Sequence, residues 1–571
     1  MTVIYNNPAD FAEEQLNGFV DLYSDRLSLV PGGVISHRDN TAKVAVVVGG
    51  GSGHYPAFAG LVGPGFAAGA VVGNIFTSPS AAHVYSVAKA ANQGAGVILT
   101  FGNYAGDVMN FGIAAKRLNA EGIDTRIVLV TDDVASAKDE ELRRGIAGDF
   151  SVFKVMGAAA AAGLSLDEVE RLGRLANSRT RTLGVAFGGC TMPGSVAPLF
   201  EVPQGTMSIG LGIHGEPGIK DTVRTSAKDL AETLLNGVLE HQPQETGTRV
   251  APILNGLGTT KYEELFLLWG HIAQLLADKG FDVVEPEVGE LVTSLDMGGC
   301  SLTLMFLDSE LEPLWKAPAY TPAYRKDAAP LAGLTAQTLT LAEDGDSEIV
   351  ATTPQAAALG NQAVKGILAV QDLLTRYEHQ LGEIDAVAGD GDHGRGMLRG
   401  ISAAAQATEN LSQAGIATVL RRAGRAWAMN AGGTSGVLWG AGLEAAAEHL
   451  SDEMVTLNRH DAARAVDGFV GAIRELGGAD IGDKTILDSA IPFASALGAG
   501  ESDGLLVVWE NAAQVAHISA QNTAALTPKK GRARPLAEKS VGTPDAGATS
   551  FALIVGCLAS RASHNSREVA V

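Results

Sequence analysis

A change of sequence pattern near residue 330 constrains the fold of this chain more than any other feature. Before it, apolar runs rich in Val and Ile alternate with amphipathic stretches; after it, Ala, Leu, Glu and Arg dominate and apolar positions recur at helical spacing. The first pattern predicts an α/β domain and the second a domain that is nearly all helical. We predict an α/β domain over 1–330 with subdomains of about 1–185 and 186–330, a linker over 331–350, and an all-α domain over 351–571.

The individual elements follow from the same periodicities. Because the run 43–48 is continuously apolar, both faces of that strand should be covered, and the glycines after it should lie at its carboxyl end, where ligands tend to bind. The predicted strands are 43–49, 96–102, 126–132, 181–187 and 207–213. The predicted helices are 221–240, 260–280, 355–380, 397–429, 437–451, 459–475, 485–499, 503–522 and 548–562.

Charge and composition disfavour several classes of protein. With 42 Lys and Arg against 64 Asp and Glu, the net charge is −22 and we find no dense basic cluster, so no nucleic-acid partner is expected. The charge-free stretch 49–88 is interrupted by Gly, Pro and His, which disfavours a membrane helix. The cysteines Cys190, Cys300 and Cys557 form no CxxC pair, and no secretory signal pattern is present. We expect a cytoplasmic protein.

Three carboxylates in the second domain form the most informative cluster. Asp385, Asp390 and Asp392 fall within eight residues and are separated by glycines that let the backbone curl. Such oxygen ligands can converge on a hard cation. The alternative is an acidic surface loop with Asx-turns. An EF-hand is excluded, because counting Asp390 as position one places Ile401 where a Glu is needed.

Glycine turns in the same domain predict phosphate contacts. They occur at 432–436, 477–485 and 545–550, and each leads into a helical pattern whose first N–H groups, together with Thr or Ser hydroxyls, can receive phosphate oxygens. With the carboxylates they describe a Mg²⁺-nucleotide site, although any one of them alone is more often just a helix start. A P-loop is excluded, because Asp483 separates Gly482 from Lys484.

Two histidines in the first domain lie at predicted strand ends. A dinucleotide fingerprint is excluded after the first strand, because the position of its last glycine is taken by His54 or Pro56. His54 and Asp107 follow two different strands and can form a proton relay in which the carboxylate fixes the imidazole tautomer. The alternative for His54 is a side chain satisfied by local backbone. His214, between glycines, can be a nucleophile, a ligand or a turn residue.

Taken together, these motifs resemble those of the dihydroxyacetone kinase family over nearly the whole chain. The motifs occur in the family's order: GGGSGH, GNYAGDVMNF, IHGEPG, TSLDMGGCSLTL, DxxxxDGDHG, GGTSG, GDKTxLD and AGATS. The resemblance implies a two-part α/β substrate domain followed by an all-α barrel of helices that binds ATP. It also implies a homodimer in which each nucleotide domain serves the partner's substrate domain.

The resemblance assigns roles to individual residues. His214 would attack the ketone carbon and hold the substrate as a hemiaminal, which requires a neutral imidazole. His54 would act as base on the hydroxyl to be phosphorylated, with Asp107 assisting. The implied substrate-binding residues are Gly51, Ser52, Gly53, His54, Gly102 and Asp107, and the implied ligands of two Mg²⁺ ions are Asp385, Asp390 and Asp392. The implied nucleotide contacts are His393, Gly394, Arg395, Gly396, Thr434, Ser435, Gly477, Ile486, Arg532, Asp545, Ala546 and Gly547.

Departures from the family concentrate in the substrate pocket. The family usually has Glu where this chain has Tyr55, a second His at Phe58, Asp at Asn74 and Lys at Gly102. Loss of the lysine side chain leads to the hypothesis that there is room for one more hydroxymethyl group, which favours a four-carbon ketose such as erythrulose. In the nucleotide site, Ala546 replaces the usual proline.

The sequence therefore predicts an ATP-dependent kinase that phosphorylates a terminal hydroxyl of a short ketose, erythrulose or dihydroxyacetone. Two enzymes on the same fold are alternatives: a kinase that uses a phosphoryl carrier protein, and a lyase that cleaves FAD. A non-catalytic ketose-binding regulator is the alternative from another class, and the intact aspartate triad disfavours it.

Overall fold

The computed structural model describes residues 2–37, 41–327, 352–431, 433–499, 504–530 and 537–568. The chain divides into two compact units, residues 1–336 and 337–571. The first is α/β and the second is helical, so the predicted fold class is confirmed. The predicted linker 331–350 lies outside the described residues. Within the described residues, no helix is both long and apolar enough to cross a membrane.

A six-stranded sheet with helices on both faces forms the first half of the N-terminal unit. Its strand order is β1-β2-β4-β3-β5-β6, and β3 runs parallel to its neighbours β4 and β5. The strands are β1 (Leu27–Val30), β2 (Gly33–Ser36), β3 (Ala45–Ser52), β4 (Gly69–Ile75), β5 (Val97–Gly102) and β6 (Thr125–Val130). The helices are α1 (Phe11–Leu22), α2 (Ala81–Ala91), α3 (Ala105–Ala120), α4 (Gly148–Ala161) and α5 (Leu166–Ser178).

The valines of β3 show why this sheet lies inside the unit. Val46 and Val48 pack into the core on one face, whereas Val47 packs into the core on the other, and all are buried. The chain leaves β3 for β4 on one side and later returns to β5 on the other. The carboxyl ends of β3 and β5 therefore form a crevice of the kind in which α/β proteins bind ligands.

A second sheet completes the N-terminal unit. Its order is β11-β10-β13-β7-β8-β9, with β12 paired to β10. The strands are β7 (Thr180–Ala186), β8 (Thr206–Ile209), β9 (Lys220–Val223), β10 (Arg249–Gly256), β11 (Asp282–Val283), β12 (Glu287–Gly289) and β13 (Gly299–Phe306), followed by a ribbon of β14 (Ala319–Tyr320) and β15 (Arg325–Lys326). The helices are α6 (Ala227–Leu239), α7 (Tyr262–Asp278) and α8 (Leu311–Lys316). The expected subdomain boundary near 185 falls at the end of β7. Because β7 belongs to the second sheet, the change from the first sheet to the second comes before this strand.

Two predicted elements of this half end or begin elsewhere. The strand expected over 207–213 stops at Ile209, because Gly210 takes a φ of +76° that turns the chain. The helix expected over 221–240 begins only at Ala227, where the Ser226 side chain caps the backbone N–H of Asp229. The preceding residues pair with β8 as strand β9.

In the part of the second unit that the structure describes, eight long helices form a closed ring. Each helix packs on the next, and the last, α17, packs on both α15 and α9. The helices are α9 (Pro354–Ala386), α10 (His393–Thr408), α11 (Ile416–Ala431), α12 (Gly433–Glu448), α13 (Arg459–Gly477), α14 (Leu487–Ala499), α15 (Leu505–Asn522), the short α16 (Ala537–Ser540) and α17 (Ala546–Glu568). The single helix predicted over 397–429 is two helices. Gly415 packs against Asp452, whose carboxylate accepts the N–H of Thr418 at 2.8 Å where the second helix begins.

Candidate active site

The N-terminal unit brings His54 and His214 into direct contact. His54 follows β3 by two residues, and His214 follows β8 in the other sheet. Their Nε2 atoms are 3.1 Å apart, and His54 is almost fully buried, whereas about a quarter of the His214 side chain is exposed. Two histidines that are 160 residues apart in sequence therefore share one site.

His54 is held by a segment that the sequence did not connect to it. The His54 Nδ1 atom lies 2.7 Å from the carbonyl oxygen of Thr293, which can only accept a hydrogen bond. On either side, the N–H of Leu295 donates to the carbonyl of Gly53 at 2.7 Å, and the Thr293 hydroxyl donates to the carbonyl of Tyr55 at 2.8 Å. These bonds fix the orientation of the imidazole and leave its Nε2 atom directed at His214.

His214 is held by a carboxylate two residues further along the chain. Glu216 accepts from the His214 backbone N–H at 3.0 Å and lies 3.1 Å from His214 Nδ1. Nη1 of Arg144 is 3.5 Å from Oε2 of Glu216, and Nη2 of the same guanidinium pairs with the buried Asp133 at 2.8 Å. Burial alone would raise the pKa of Glu216, but the hydrogen bond and charge of His214 lower it to about 2. Glu216 therefore stays ionised beside the imidazole.

The hydrogen bonds define how many protons the pair holds. Nδ1 of His54 donates to a carbonyl and Nδ1 of His214 donates to a carboxylate, so both Nδ1 atoms carry hydrogen. The Nε2–Nε2 contact then needs one further proton. Burial, followed by the nearby His214, lowers the pKa of His54 to about 3. His54 therefore releases the proton of this contact readily.

Phe76 forms the floor beneath both imidazoles. Its ring stacks on His54 with centroids 5.2 Å apart and meets the edge of His214 at 4.9 Å. A Cβ atom at Gly51 would lie 2.8 Å from the Phe76 backbone, and one at Gly53 would lie 2.8 Å from its ring. These two glycines, predicted to bind substrate, are thus required by the packing of Phe76. Phe76 could not be identified from the sequence, because a single aromatic residue after a strand does not indicate that it packs against two histidines.

Asp107 does not make the contact expected of a relay, and Ser52, predicted to bind substrate, bonds the backbone. Asp107 lies in the first turn of α3, and its Oδ1 atom is buried without a hydrogen-bond partner in the described part of the chain. It makes no hydrogen bond to His54 among these residues, so the predicted tautomer-fixing contact is wrong: the Thr293 carbonyl already occupies His54 Nδ1. The Ser52 hydroxyl donates to the carbonyl of Gly73 at 2.6 Å.

The space beside Gly102 is narrow. A Cβ atom at this position would lie 3.0 Å from the carbonyl oxygen of Gly145 and 3.2 Å from the Tyr104 ring. Gly145 tolerates no side chain either, because its Cβ would lie 2.4 Å from Gly102 Cα. The space that a Cβ at Gly102 would enter is thus narrow, and the extra room hypothesised from the missing lysine stays a prediction.

The helical unit brings the three predicted metal ligands together. One oxygen each from Asp385, Asp390 and Asp392 lies within 4.8 Å of the others. The loop curls because Gly391, at a φ of +75°, donates its N–H to Asp385 Oδ2 at 2.8 Å. Three carboxylates without a compensating cation would repel one another, and this all-oxygen set fits Mg²⁺. The predicted cluster is thus present as a candidate ligand set.

A cavity of about 340 Å³ begins at this cluster, and four helix N-termini of the described residues border it. They belong to α10, α12, α14 and α17. The buried His393 at the start of α10 connects to two of the others, because its Nε2 is 3.0 Å from the Ser550 hydroxyl of α17 and its Nδ1 is 3.3 Å from the Ser435 hydroxyl of α12. Helix N-termini favour anions. The predicted residues that line the cavity are Asp385, Asp390, Asp392, His393, Gly396, Thr434, Ser435, Gly477, Ile486, Asp545, Ala546 and Gly547.

Three predicted nucleotide contacts are not among the lining residues. Gly394 faces α9, because its Cβ would lie 1.9 Å from the Glu378 carbonyl oxygen, and Arg395 projects into solvent. Successive residues of a helix point about 100° apart, so a run of four residues cannot all face one cavity. Arg532 lies outside the described residues.

Lys484 also lines the cavity and was not predicted to do so. It is almost fully buried, and its ammonium donates to the carbonyl oxygens of Ser540 at 2.7 Å and Leu526 at 3.1 Å. Asp488 accepts the backbone N–H of Thr485 at 2.7 Å. Both side chains hold the glycine loop 477–485 in place. The lysine therefore anchors this loop and does not take the role of a P-loop lysine.

Comparison with known proteins agrees with this geometry. A model of the Dak1 domain matches residues 17–323, more than half of the chain, and a model of the DAK2 domain matches residues 387–560. This chain belongs to the dihydroxyacetone kinase family. The family membership predicted from the motifs is thereby confirmed.

Members of the dihydroxyacetone kinase family with similar sequences span the whole chain. The D-erythrulose kinase of Mycolicibacterium smegmatis is 54% identical over 97% of both chains. The L-erythrulose kinase of Pectobacterium atrosepticum is 51% identical over 97% of this chain and 95% of its own. The crystal structure of the dihydroxyacetone kinase from C. freundii in complex with AMP-PNP and Mg²⁺ matches with a TM-score of 0.60 at 27% identity, over 98% of this chain and 99% of that one. The prediction that the chain is a kinase is confirmed.

Proposed function

We propose that this kinase transfers a phosphoryl group from ATP to a terminal hydroxyl of a short ketose, which His214 holds as a covalent hemiaminal. The observation that carries the proposal is the contact of the His54 and His214 Nε2 atoms at 3.1 Å, with each imidazole fixed through its Nδ1. A nucleophile and a base within hydrogen-bond distance, each oriented by a further group, form the arrangement that covalent catalysis needs.

The shared proton balances the covalent step. When the ketone enters, the proton of the Nε2–Nε2 contact is held by His54 Nε2, which leaves the lone pair of His214 Nε2 free. His214 Nε2 then bonds to the carbonyl carbon, the C=O π electrons move to oxygen, and His54 returns the proton to that oxygen. The product is a hemiaminal on an imidazolium whose positive charge is compensated by Glu216. His54 is neutral again and ready to act as a base.

His54 and Asp107 then act on the substrate hydroxyls. Neutral His54 accepts the proton of the hydroxyl that takes the phosphoryl group, a contribution of about 10²–10⁴-fold for a well-placed base. The unpartnered Oδ1 of Asp107 accepts a hydrogen bond from a hydroxyl of the bound ketose. Burial raises the pKa of Asp107, while a hydrogen bond from Ser78 and the charge of His214 oppose the shift.

The helical unit holds the nucleotide. ATP is the phosphoryl donor. Asp385, Asp390 and Asp392 would hold two Mg²⁺ ions, which would neutralise the charge of the phosphates. Backbone N–H groups at the starts of α12 and α17 bind phosphate oxygens. The apolar part of the cavity lining receives the base, and it includes Leu438, Trp439, Ile473 and Leu487.

Erythrulose is the proposed substrate, and a substrate panel tests it. The two most similar relatives named above are kinases of D- and L-erythrulose. We expect kcat/KM for one erythrulose enantiomer to exceed that for dihydroxyacetone by about tenfold or more, as one well-recognised substituent commonly contributes. ADP release coupled to sugar phosphate formation is the measurement, with D-erythrulose, L-erythrulose and dihydroxyacetone as acceptors.

Other outcomes of the panel would contradict the proposal. Phosphorylation that requires a phosphorylated carrier protein would assign the chain to that class of kinase, and turnover of FAD with a divalent metal but of no ketose would assign a lyase. Ketose binding without ATP consumption for any of the three would indicate a regulator.

We also propose a homodimer in which each helical unit serves the substrate unit of the other chain. Co-expression of His214→Ala with Asp390→Asn tests it. If units are exchanged, a mixed dimer pairs one intact substrate unit with one intact helical unit, and activity of about half the wild-type level per mixed dimer returns. If each chain serves itself, every pairing contains one defect, and the mixture stays as inactive as either variant alone.

A further inference from the structure

Tyr104 is a partly buried residue beside the proposed nucleophile, and none of the steps above uses its phenol. It lies between β5 and α3, and its ring meets His214 edge-on with centroids 5.2 Å apart and planes at 78°. Its hydroxyl oxygen is buried and has no hydrogen-bond partner among the residues that the structure describes. Buried hydroxyls are nearly always paired, so an unpaired one next to a nucleophile calls for a ligand that pairs with it.

Backbone packing fixes the position of this ring. The Tyr104 N–H donates to the carbonyl of Gly102 at 2.8 Å, and the ring lies 3.2 Å from where a Gly102 Cβ would be. Gly145 closes the other side of Gly102, with no room for a side chain. The phenol is thus held against His214 instead of turning towards solvent.

The phenol remains a hydrogen-bond donor. Burial, and then the charge of Glu216, raise the pKa of Tyr104 well above its ordinary value, while Arg144 opposes this shift. Asp133 and Asp149 are the other charged groups that act on it, and none of the four forms a hydrogen bond with it. A neutral hydroxyl in such surroundings pairs best with an oxygen that gains negative charge during the reaction.

We propose that Tyr104 is a substrate-binding residue whose hydroxyl donates to the ketone oxygen as His214 adds to the adjacent carbon. The inference rests on the proposed function. The ketone oxygen is directly bonded to the carbon that joins His214, so it is the substrate oxygen best placed for a donor whose ring contacts this imidazole. Asp107 is suited to accept from a hydroxyl and not to stabilise this oxygen. Negative charge forms on the oxygen only during addition, so the donor favours the adduct over the free ketone.

Tyr104→Phe tests the inference because it removes the hydroxyl alone. We expect kcat/KM to fall by about 10²–10³-fold, as for loss of one oxyanion donor, and to the same extent for dihydroxyacetone and erythrulose. The yield of covalent adduct, measured by native mass spectrometry without ATP, should fall as well. The melting temperature should stay the same or rise, because an unpaired buried hydroxyl is removed. Tyr85→Phe is the control, since that hydroxyl bonds Glu121 on the surface, and its activity should be unchanged.

Three results would overturn the inference. The first is an unchanged adduct yield and kcat/KM; the second is a loss confined to four-carbon ketoses, which would assign the phenol to their additional hydroxyl. The third is a clear drop in melting temperature, which would reveal a structural partner for the hydroxyl. Failure of the proposed function is distinguishable, because then the wild-type protein itself forms no adduct.

Discussion

Replacing His214 by alanine is expected to abolish the covalent ketose adduct and to lower kcat/KM by more than about 10³-fold, as loss of a catalytic nucleophile does. In the proposed mechanism, His214 Nε2 bonds the carbonyl carbon, and His54 Nε2, which lies 3.1 Å away, acts as the base. Native mass spectrometry of the protein with erythrulose, without ATP, measures the adduct as added mass. A coupled assay of ADP release measures turnover.

The His214 variant has a matched control in the same chain. His379 is an exposed histidine on α9, and His379→Ala should retain both the adduct and full turnover. Binding of a nucleotide to the His214→Ala protein should also be unchanged, because the residues that line the cavity proposed to hold it are all in the helical unit. A His214→Ala protein that keeps the adduct and full activity would falsify the assignment of the nucleophile.

Replacing Asp390 by asparagine is expected to separate the two halves of the reaction. The adduct should form normally, whereas turnover should fall by about 10³-fold, since the carboxylates that hold the charge-neutralising ion are a main source of catalysis in phosphoryl transfer. The three carboxylates have oxygens within 4.8 Å of one another, so loss of one of the three negative charges should also weaken Mn²⁺ binding. Titration calorimetry measures this affinity.

Glu383 on α9 provides the control for the aspartate variant. Its side chain is two-thirds exposed and pairs with His379, and it is not one of the three clustered acids. Glu383→Gln removes the same charge close by and should leave Mn²⁺ affinity and turnover unchanged. Equal losses in the two variants would mean that general acidity of the surface, and not the aspartate cluster, controls the affinity for the ion.

Local patterns predicted the elements of the fold better than their ends. The buried valines of β3 and the helical periods of the second domain identified the strands and helices, because burial of an apolar face follows directly from period. The single helix expected over 397–429 is two helices, because the break depends on contacts of Gly415 with Asp452, a residue more than thirty positions away. Apolar periodicity alone does not reveal such a long-range contact.

The candidate site was predictable in its chemistry and less so in its contacts. Motif spacing located His54, His214 and the aspartate cluster, and the structure brings each group together. The partner of His54 is the Thr293 carbonyl, 239 residues away, and no side-chain pattern points to a backbone oxygen. The contact of Glu216 with His214 is easier to predict from the sequence, because a carboxylate two residues after a histidine can reach the backbone and the ring of that histidine.

The most direct test of the central claim is the ¹³C NMR signal of a ketose labelled at its carbonyl carbon and bound to the protein without nucleotide. If His214 holds the ketose covalently, the labelled carbon resonates in the region of tetrahedral carbons bonded to oxygen and nitrogen, and in His214→Ala it stays with the ketone and its hydrate. A wild-type complex that phosphorylates the ketose on addition of ATP, yet shows only the ketone and hydrate signals when saturated beforehand, would contradict the account.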